Sequence, residues 1–262
     1  MTMALTTTAN ETWKGPLLSW GYRFNMVTEL FMLGVVFVGI DFFMGNGELQ
    51  PDRLAIALVG YLTWFYAIIV LNGMGNGLAE EAQSGTLEQL YMSPTPAAVL
   101  LIGRVASTLI VSTVMVAIVG LGLVLLLRIT IPVGWQWLPV FGLTLLGLLG
   151  MGYASAGATI VFKRTASLTN MLTNIMLFLN GALLPVDRLP EWLEVIAKVL
   201  PTTLGIIAMR RVIFDGESLA SLWSDGTLVL LAAHSTVFVL LGWLGFRYAQ
   251  GVAKRKGLLG QY

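Results

Sequence analysis

The sequence predicts an all-α integral membrane protein with six transmembrane helices, and three observations carry that prediction. First, only 11% of its 262 residues are charged while 56% are hydrophobic, and the mean hydropathy is +0.81. A soluble domain, near 25% charged on average, needs more polar residues than this for its skin. Second, six apolar runs are each long enough for the roughly 20 residues a membrane helix requires. Third, these runs are continuous rather than alternating. Lipid leaves no water for exposed backbone, so continuous runs read as helices and not as barrel strands.

The spans are Phe24–Met44, Leu54–Leu78, Val99–Leu127, Leu138–Phe162, Leu168–Leu184 and Thr227–Arg247, within one transmembrane domain covering residues 1–262. Six crossings put both termini on one side. Arg247, Lys254, Arg255 and Lys256 follow the last span, Lys163 and Arg164 join the fourth to the fifth, and Lys14 and Arg23 precede the first. The short loops of the opposite face hold only Arg53 and Arg128. The excess of Lys and Arg marks the cytoplasmic side, so both termini are expected there. Met1–Trp13 is polar and lacks the basic and apolar regions of a cleavable signal.

Two elements are expected not to span. Residues 10–23 mix Trp13, Leu17, Leu18, Trp20 and Tyr22 with polar groups, the pattern of an amphipathic helix lying on the cytoplasmic leaflet. Residues 185–211 form the outer segment between spans five and six. Within it Pro190 suits a first helical turn and Pro201 ends the helix. Trp192, Val195, Ile196, Val199 and Leu200 follow helical spacing, and Glu194 with Lys198 makes a favourable i,i+4 pair. A helical hairpin dipping into the membrane is expected, closed by Arg210 and Arg211.

Catalytic chemistry finds little support. The chain has no cysteine and one histidine, His234, inside an apolar run. It therefore has no disulfide and no thiolate metal site, and neither a catalytic nor a metal-binding set is expected. The sequence lacks H-E-x-x-H, G-x-S-x-G and the phosphate-binding G-x-x-x-x-G-K-[ST], so a cofactor or ATP site in this chain is not expected. A net charge of +1 gives no case for nucleic acid. Glu29, Asp41 and Arg104 fall within spans. Carboxylates at membrane depth are functional candidates by default, although hydration at the interface or a local partner is the favoured account of Glu29 and Asp41, and Arg104 is expected to snorkel to the boundary or pair with a carboxylate of a neighbouring helix. Small residues at Gly73 and Gly77, and along Gly150, Gly152, Ala154, Ala156 and Ala158, read as helix-packing faces.

The stretch EEAQSGTLEQLYMSPTP (Glu80–Pro96) is the longest polar interruption between spans, with three acidic residues and no Lys or Arg. Gly85 is a plausible helix stop. Thr86 with Gln89 fits a capping box, and Leu87, Leu90 and Tyr91 fall on one helical face. Pro94 stops the short helix, and Thr95–Pro96 restarts the next. An exposed Leu87/Leu90/Tyr91 face suits a protein partner, and Glu80, Glu81 and Glu88 suit basic groups on it rather than an anionic leaflet.

EEAQSGTLEQLYMSP resembles the E-x-x-x-G-T-L-E-x-L-x-x-[ST]-P pattern of ABC-2 type transporter permeases. FLNGALLPVDRLPEWLEVIAKVLPTTLGIIAMRR (Phe178–Arg211) is similar to that family's outer segment. The resemblance implies that residues 80–94 form a coupling-helix region. Glu80, Glu81, Gly85, Thr86, Leu87, Glu88, Leu90 and Pro94 would then lie at or beside a separate ATPase subunit, which binds ATP and Mg. It further implies a second permease chain, expected to be an identical copy with a different chain as the alternative, and a bacterial cytoplasmic membrane location. A path at the dimer centre would be lined by spans two and five, with Tyr61, Trp64, Phe65, Asn72, Asn170, Asn174, Phe178 and Asn180 as candidates. Export of a hydrophobic or amphipathic compound (drug, lipid or glycolipid) is the first expectation, and a glycan or polysaccharide exporter is the alternative. An ion-coupled carrier would need a carboxylate near the midplane, with Glu29 the nearest candidate. An intramembrane lipid enzyme would need clustered His, Asp or Glu, which the sequence lacks.

Overall fold

The apolar runs fold as helices in a computed structural model of the chain, which describes residues 12–13, 23–83, 97–132, 134–162, 165–183 and 185–255. The helices are α1 (Arg23–Met44), α2 (Pro51–Gln83), α3 (Ala97–Leu127), α4 (Trp137–Phe162), α5 (Ala166–Leu179), α6 (Glu191–Val199), α7 (Pro201–Ile213), α8 (Leu219–Ser224) and α9 (Thr227–Arg255). Among the described residues five helices, α1 to α4 and α9, are long and apolar enough to cross a membrane. No strand occurs among those residues. The expected interfacial helix 10–23 lies almost wholly outside the described residues; within it, Thr12 and Trp13 are helical.

The fifth span is shorter than the run Leu168–Leu184 suggests. Helix α5 has 14 residues, about 21 Å at 1.5 Å per residue, against a hydrocarbon core of about 30 Å. It stops because Asn180 leaves the helix, accepting the Ala182 N–H on its Oδ1 at 2.9 Å, and because Gly181 takes a φ of +81°, which costs glycine little. Irregular backbone at membrane depth is tolerated where protein buries it. Here Asn180, Gly181 and Ala182 are all buried against α2, so closely that a Cβ on Gly60 would lie 2.5 Å from the Ala182 Cα.

Helices α6 and α7 meet at 95°. The sequence sets this bend. Proline disfavours the helical conformation in the residue before it, and Leu200 is extended at φ −68°, ψ 133°. Pro201 then opens α7, where its missing N–H costs nothing. The i,i+4 pair forms, with Lys198 Nζ donating to Glu194 Oε1 at 2.6 Å, while Trp192, Val195, Ile196 and Val199 stay exposed.

Helix α2 is the axis of the bundle, with 72% of its apolar window buried. Hydrocarbon is as apolar as leucine, so association between spans depends on packing and hydrogen bonds rather than on escape from water. Three aromatic side chains of α2 supply such bonds, each to a different helix. The Tyr61 hydroxyl donates to the Leu33 carbonyl of α1 at 2.8 Å. Trp64 Nε1 donates to the Thr173 carbonyl of α5 at 2.6 Å. The Tyr66 hydroxyl donates to the Leu109 carbonyl of α3 at 3.0 Å and lies 2.6 Å from Thr113 Oγ1. Helices α4 and α9 instead meet backbone to backbone, because Gly150 and Gly242 carry no Cβ. A Cβ on Gly242 would overlap the Gly150 carbonyl, and one on Gly150 would overlap the main chain at Phe238.

Candidate transport path and coupling segment

The path candidates divide into two sets. Tyr61, Trp64 and Phe65 are buried inside this chain, where Tyr61 stacks between Phe37 and Trp64 at centroid distances of 4.9 and 5.1 Å. Asn170, Asn174 and Phe178 are exposed on the opposite side of α5. Trp64 reaches α5 through the Thr173 carbonyl, on the buried side of that helix, whereas the second set is exposed. Asn180 is buried as the α5 cap, and Asn72 is half-buried with its Oδ1 enclosed and unpartnered among the described residues.

The outward stripe of α5 is chemically unusual. Ser167, Asn170, Asn174 and Phe178 follow i, i+3, i+7 and i+11 and are all exposed. Amides without partners are costly in hydrocarbon, so the stripe suits water or another protein surface better than lipid tails.

A groove of about 400 Å³ lies between α2, α4, α5 and α9, lined by residues that include Leu71, Ala154, Ser155, Ala158, Leu168, Leu172 and Leu241. The Ser155 hydroxyl forms its floor, 3.3 Å from both the Leu71 carbonyl and Thr169 Oγ1. The small residues of α4 therefore serve two ends. Gly150 packs on α9, while Ala154 and Ala158 leave space. The spacing that suggests a packing face in the sequence was the only signal for this groove.

Of the charged residues at membrane depth, Asp41 is buried and held by Arg53 across the α1–α2 turn. Arg53 Nη2 donates to Asp41 Oδ2 at 3.2 Å, to the Asp41 carbonyl at 2.8 Å and to the Glu48 carbonyl at 3.2 Å. A local partner thus accounts for Asp41. Glu29 is exposed on α1, and Arg104 is half-buried on α3.

The segment between α7 and α9 is tied by Arg211. Its guanidinium donates to Glu217 at 2.8 and 2.6 Å, to Asp225 Oδ2 at 2.5 Å and to Thr227 Oγ1 at 2.8 Å. The Thr227 backbone N–H, with Arg211 second, holds the Asp225 carboxyl down at about 2 from its ordinary 3.8. Arg211 likewise lowers Glu217. A depressed carboxylate stabilises the fold fully above its unfolded pKa and loses that contribution as pH falls through the folded one. The Asp225 contribution is therefore expected to persist down to about pH 4 and to vanish toward pH 2. Hydrogen exchange of residues 214–226, corrected for intrinsic rates, checks this: protection should be equal at pH 6 and pH 5, above the unfolded values of both carboxylates. Loss of protection at pH 5 would contradict the assignment.

Residues 80–94 complete the candidate set. Glu80 and Glu81 lie on the last turns of α2, whereas Gly85, Thr86, Leu87, Glu88, Leu90, Tyr91 and Pro94 lie outside the described residues. The last part of α2 runs past the end of the bundle where α4 meets α5, since Gly75 abuts Ser155 and Thr159 Oγ1 lies 2.6 Å from Thr165 Oγ1. Residues 30–244, from α1 to late α9, match the family model described as ABC-2 family transporter protein. The chain belongs to the ABC-2 transporter family. This ABC-2 protein is thus a multi-pass membrane protein and a transmembrane subunit of an ABC transporter, and family membership implies association with an ABC ATPase subunit. No curated protein matches the chain.

Proposed function

We propose that this chain is the permease subunit of an ATP-driven exporter, with residues 80–94 docking on the ATPase subunit. The observation that carries the proposal is the continuity of α2. Its 33 residues make a rod of about 50 Å that starts at the α1–α2 turn and ends inside the acidic segment Glu80–Pro94. The same rod holds α1, α5 and α3 through Tyr61, Trp64 and Tyr66. A displacement imposed at 80–94 by ATP-driven closure of the partner would thus reach most of the bundle through stiff contacts.

Two copies would form the transporter, joined where the amide stripe of α5 finds a protein or aqueous neighbour. Both termini and the 80–94 segment would be cytoplasmic, in a bacterial inner membrane. The apolar groove supports a hydrophobic or amphipathic cargo. Proteoliposomes holding the chain with its ATPase subunit test the energy source. Cargo movement that requires ATP and ignores a proton gradient is expected; movement driven by the gradient alone would sink the reading.

A further inference from the structure

Where α9 crosses the α6–α7 bend, four polar groups are enclosed without partners. Thr202, Thr203 and Ser235 are each 0% exposed. Their hydroxyls and His234 Nδ1 have no hydrogen-bond partner among the described residues. Hydroxyls in helices commonly bond a carbonyl one turn back, as Thr144 and Thr236 do here. These three do not.

The four groups belong to one locality. A His234 ring nitrogen bonds the Val199 main chain, which sets α9 against the last residue of α6. A Cβ placed on Gly147 would lie 2.8 Å from Pro201 Cβ and 3.3 Å from Ser235 Oγ, so Ser235 borders the first residue of α7. Gly205 abuts Thr144 of α4, and Thr202, three residues earlier, shares that helical face. Thr203 is turned about 100° away from it, so the groups border a short strip rather than a point.

The donor and acceptor pattern selects the ligand. Nδ1 of a neutral His234 ring makes one hydrogen bond, as donor or as acceptor. The hydroxyls can donate or accept. None of the four groups carries the fixed charge that an anion or a cation needs. Water satisfies both sets at once, and buried water typically bridges two to four such groups.

We infer that the α6–α7 bend holds bound water, bridging Thr202, Thr203, Ser235 and His234 between α7, α9 and α4. Water there lets the bent helix pair shift against α9 by exchanging hydrogen bonds instead of leaving polar groups bare. The inference concerns the bend alone and stands whether or not the chain exports an amphiphile.

Replacing a bare buried hydroxyl by a methyl group relieves a penalty, whereas replacing a bridged one removes bonds. Ser235→Ala and Thr202→Val in the detergent-solubilised full chain are therefore each expected to lower the thermal midpoint, by about 2–4 °C. An unchanged or raised midpoint overturns the inference. Wild-type protein supplies an independent reading through radiolytic hydroxyl-radical labelling, which marks residues beside bound water. After correction for intrinsic radical reactivity, buried Pro201 should be labelled above the equally buried Phe246 of α9, and corrected labelling at or below that of Phe246 overturns the inference without any variant having to fold.

Discussion

Gly242→Ala is expected to lower the thermal midpoint by about 6–12 °C. The new Cβ would overlap the Gly150 carbonyl and lie 2.7 Å from its carbon and 3.0 Å from its Cα. Backbone cannot swing aside as a flexible side chain can, so α4 and α9 must separate. The cost belongs at the upper end of the overpacking range, about 3 kcal/mol, and each kcal/mol moves the midpoint of a chain this size by about 2–4 °C. Gly245→Ala, three residues along the same helix, is the internal control. No atom lies within 4 Å of its Cβ position, and alanine is the better helix former by about 1 kcal/mol, so its midpoint should hold or rise. Fluorescence-detected gel filtration after heating reads both variants. A fall for Gly245→Ala with none for Gly242→Ala would mean that α4 and α9 do not meet as described.

Leu87→Asp and Glu88→Arg are expected to reduce ATP-dependent transport at least tenfold while the chain still inserts and folds. Both fall between α2 and α3 in the sequence, and the packing described among the helices is made by other residues. Leu87 belongs to the apolar face proposed to dock on the ATPase subunit. A central hot-spot contact costs about 2 kcal/mol or more when lost, and about 1.4 kcal/mol is a factor of ten. Glu88→Arg reverses the charge offered to basic partner groups. The signature is uncoupling: membrane yield and thermal midpoint equal to wild type, with transport lost. Wild-type transport in both variants would remove 80–94 from the coupling role.

Much of the fold is legible in composition and punctuation. Continuous apolar runs define the long helices, and Pro201 marks the bend because proline constrains its own residue and the one before it. The end of α5 is less legible. Ala182, Leu183 and Leu184 extend the apolar run, yet Asn180 and Gly181 end the helix through a side-chain cap and a positive φ that hydropathy does not register. Asp41 and Arg53 pair across a turn, 12 residues apart, which no helical spacing reveals. The path candidates show a deeper limit. Tyr61, Trp64 and Phe65 suit a substrate wall or a core equally well by residue type. Neighbouring helices bury all three in this chain, which residue type alone does not reveal. Ala154 and Ala158 are the converse, small enough to pack but bordering a groove instead.

The coupling role of residues 80–94 is tested most directly by cross-linking. The chain has no cysteine, so Leu90→Cys provides a single thiol at the proposed docking face, and Trp192→Cys provides one at exposed α6 near the other end of the bundle. With the ATPase subunit present in native membranes, a short thiol-to-amine cross-linker should join Leu90→Cys to a lysine of that subunit, and more efficiently when ATP is trapped. Trp192→Cys should give no such product. Cross-linking to the ATPase from position 192 but not from position 90 would contradict the account.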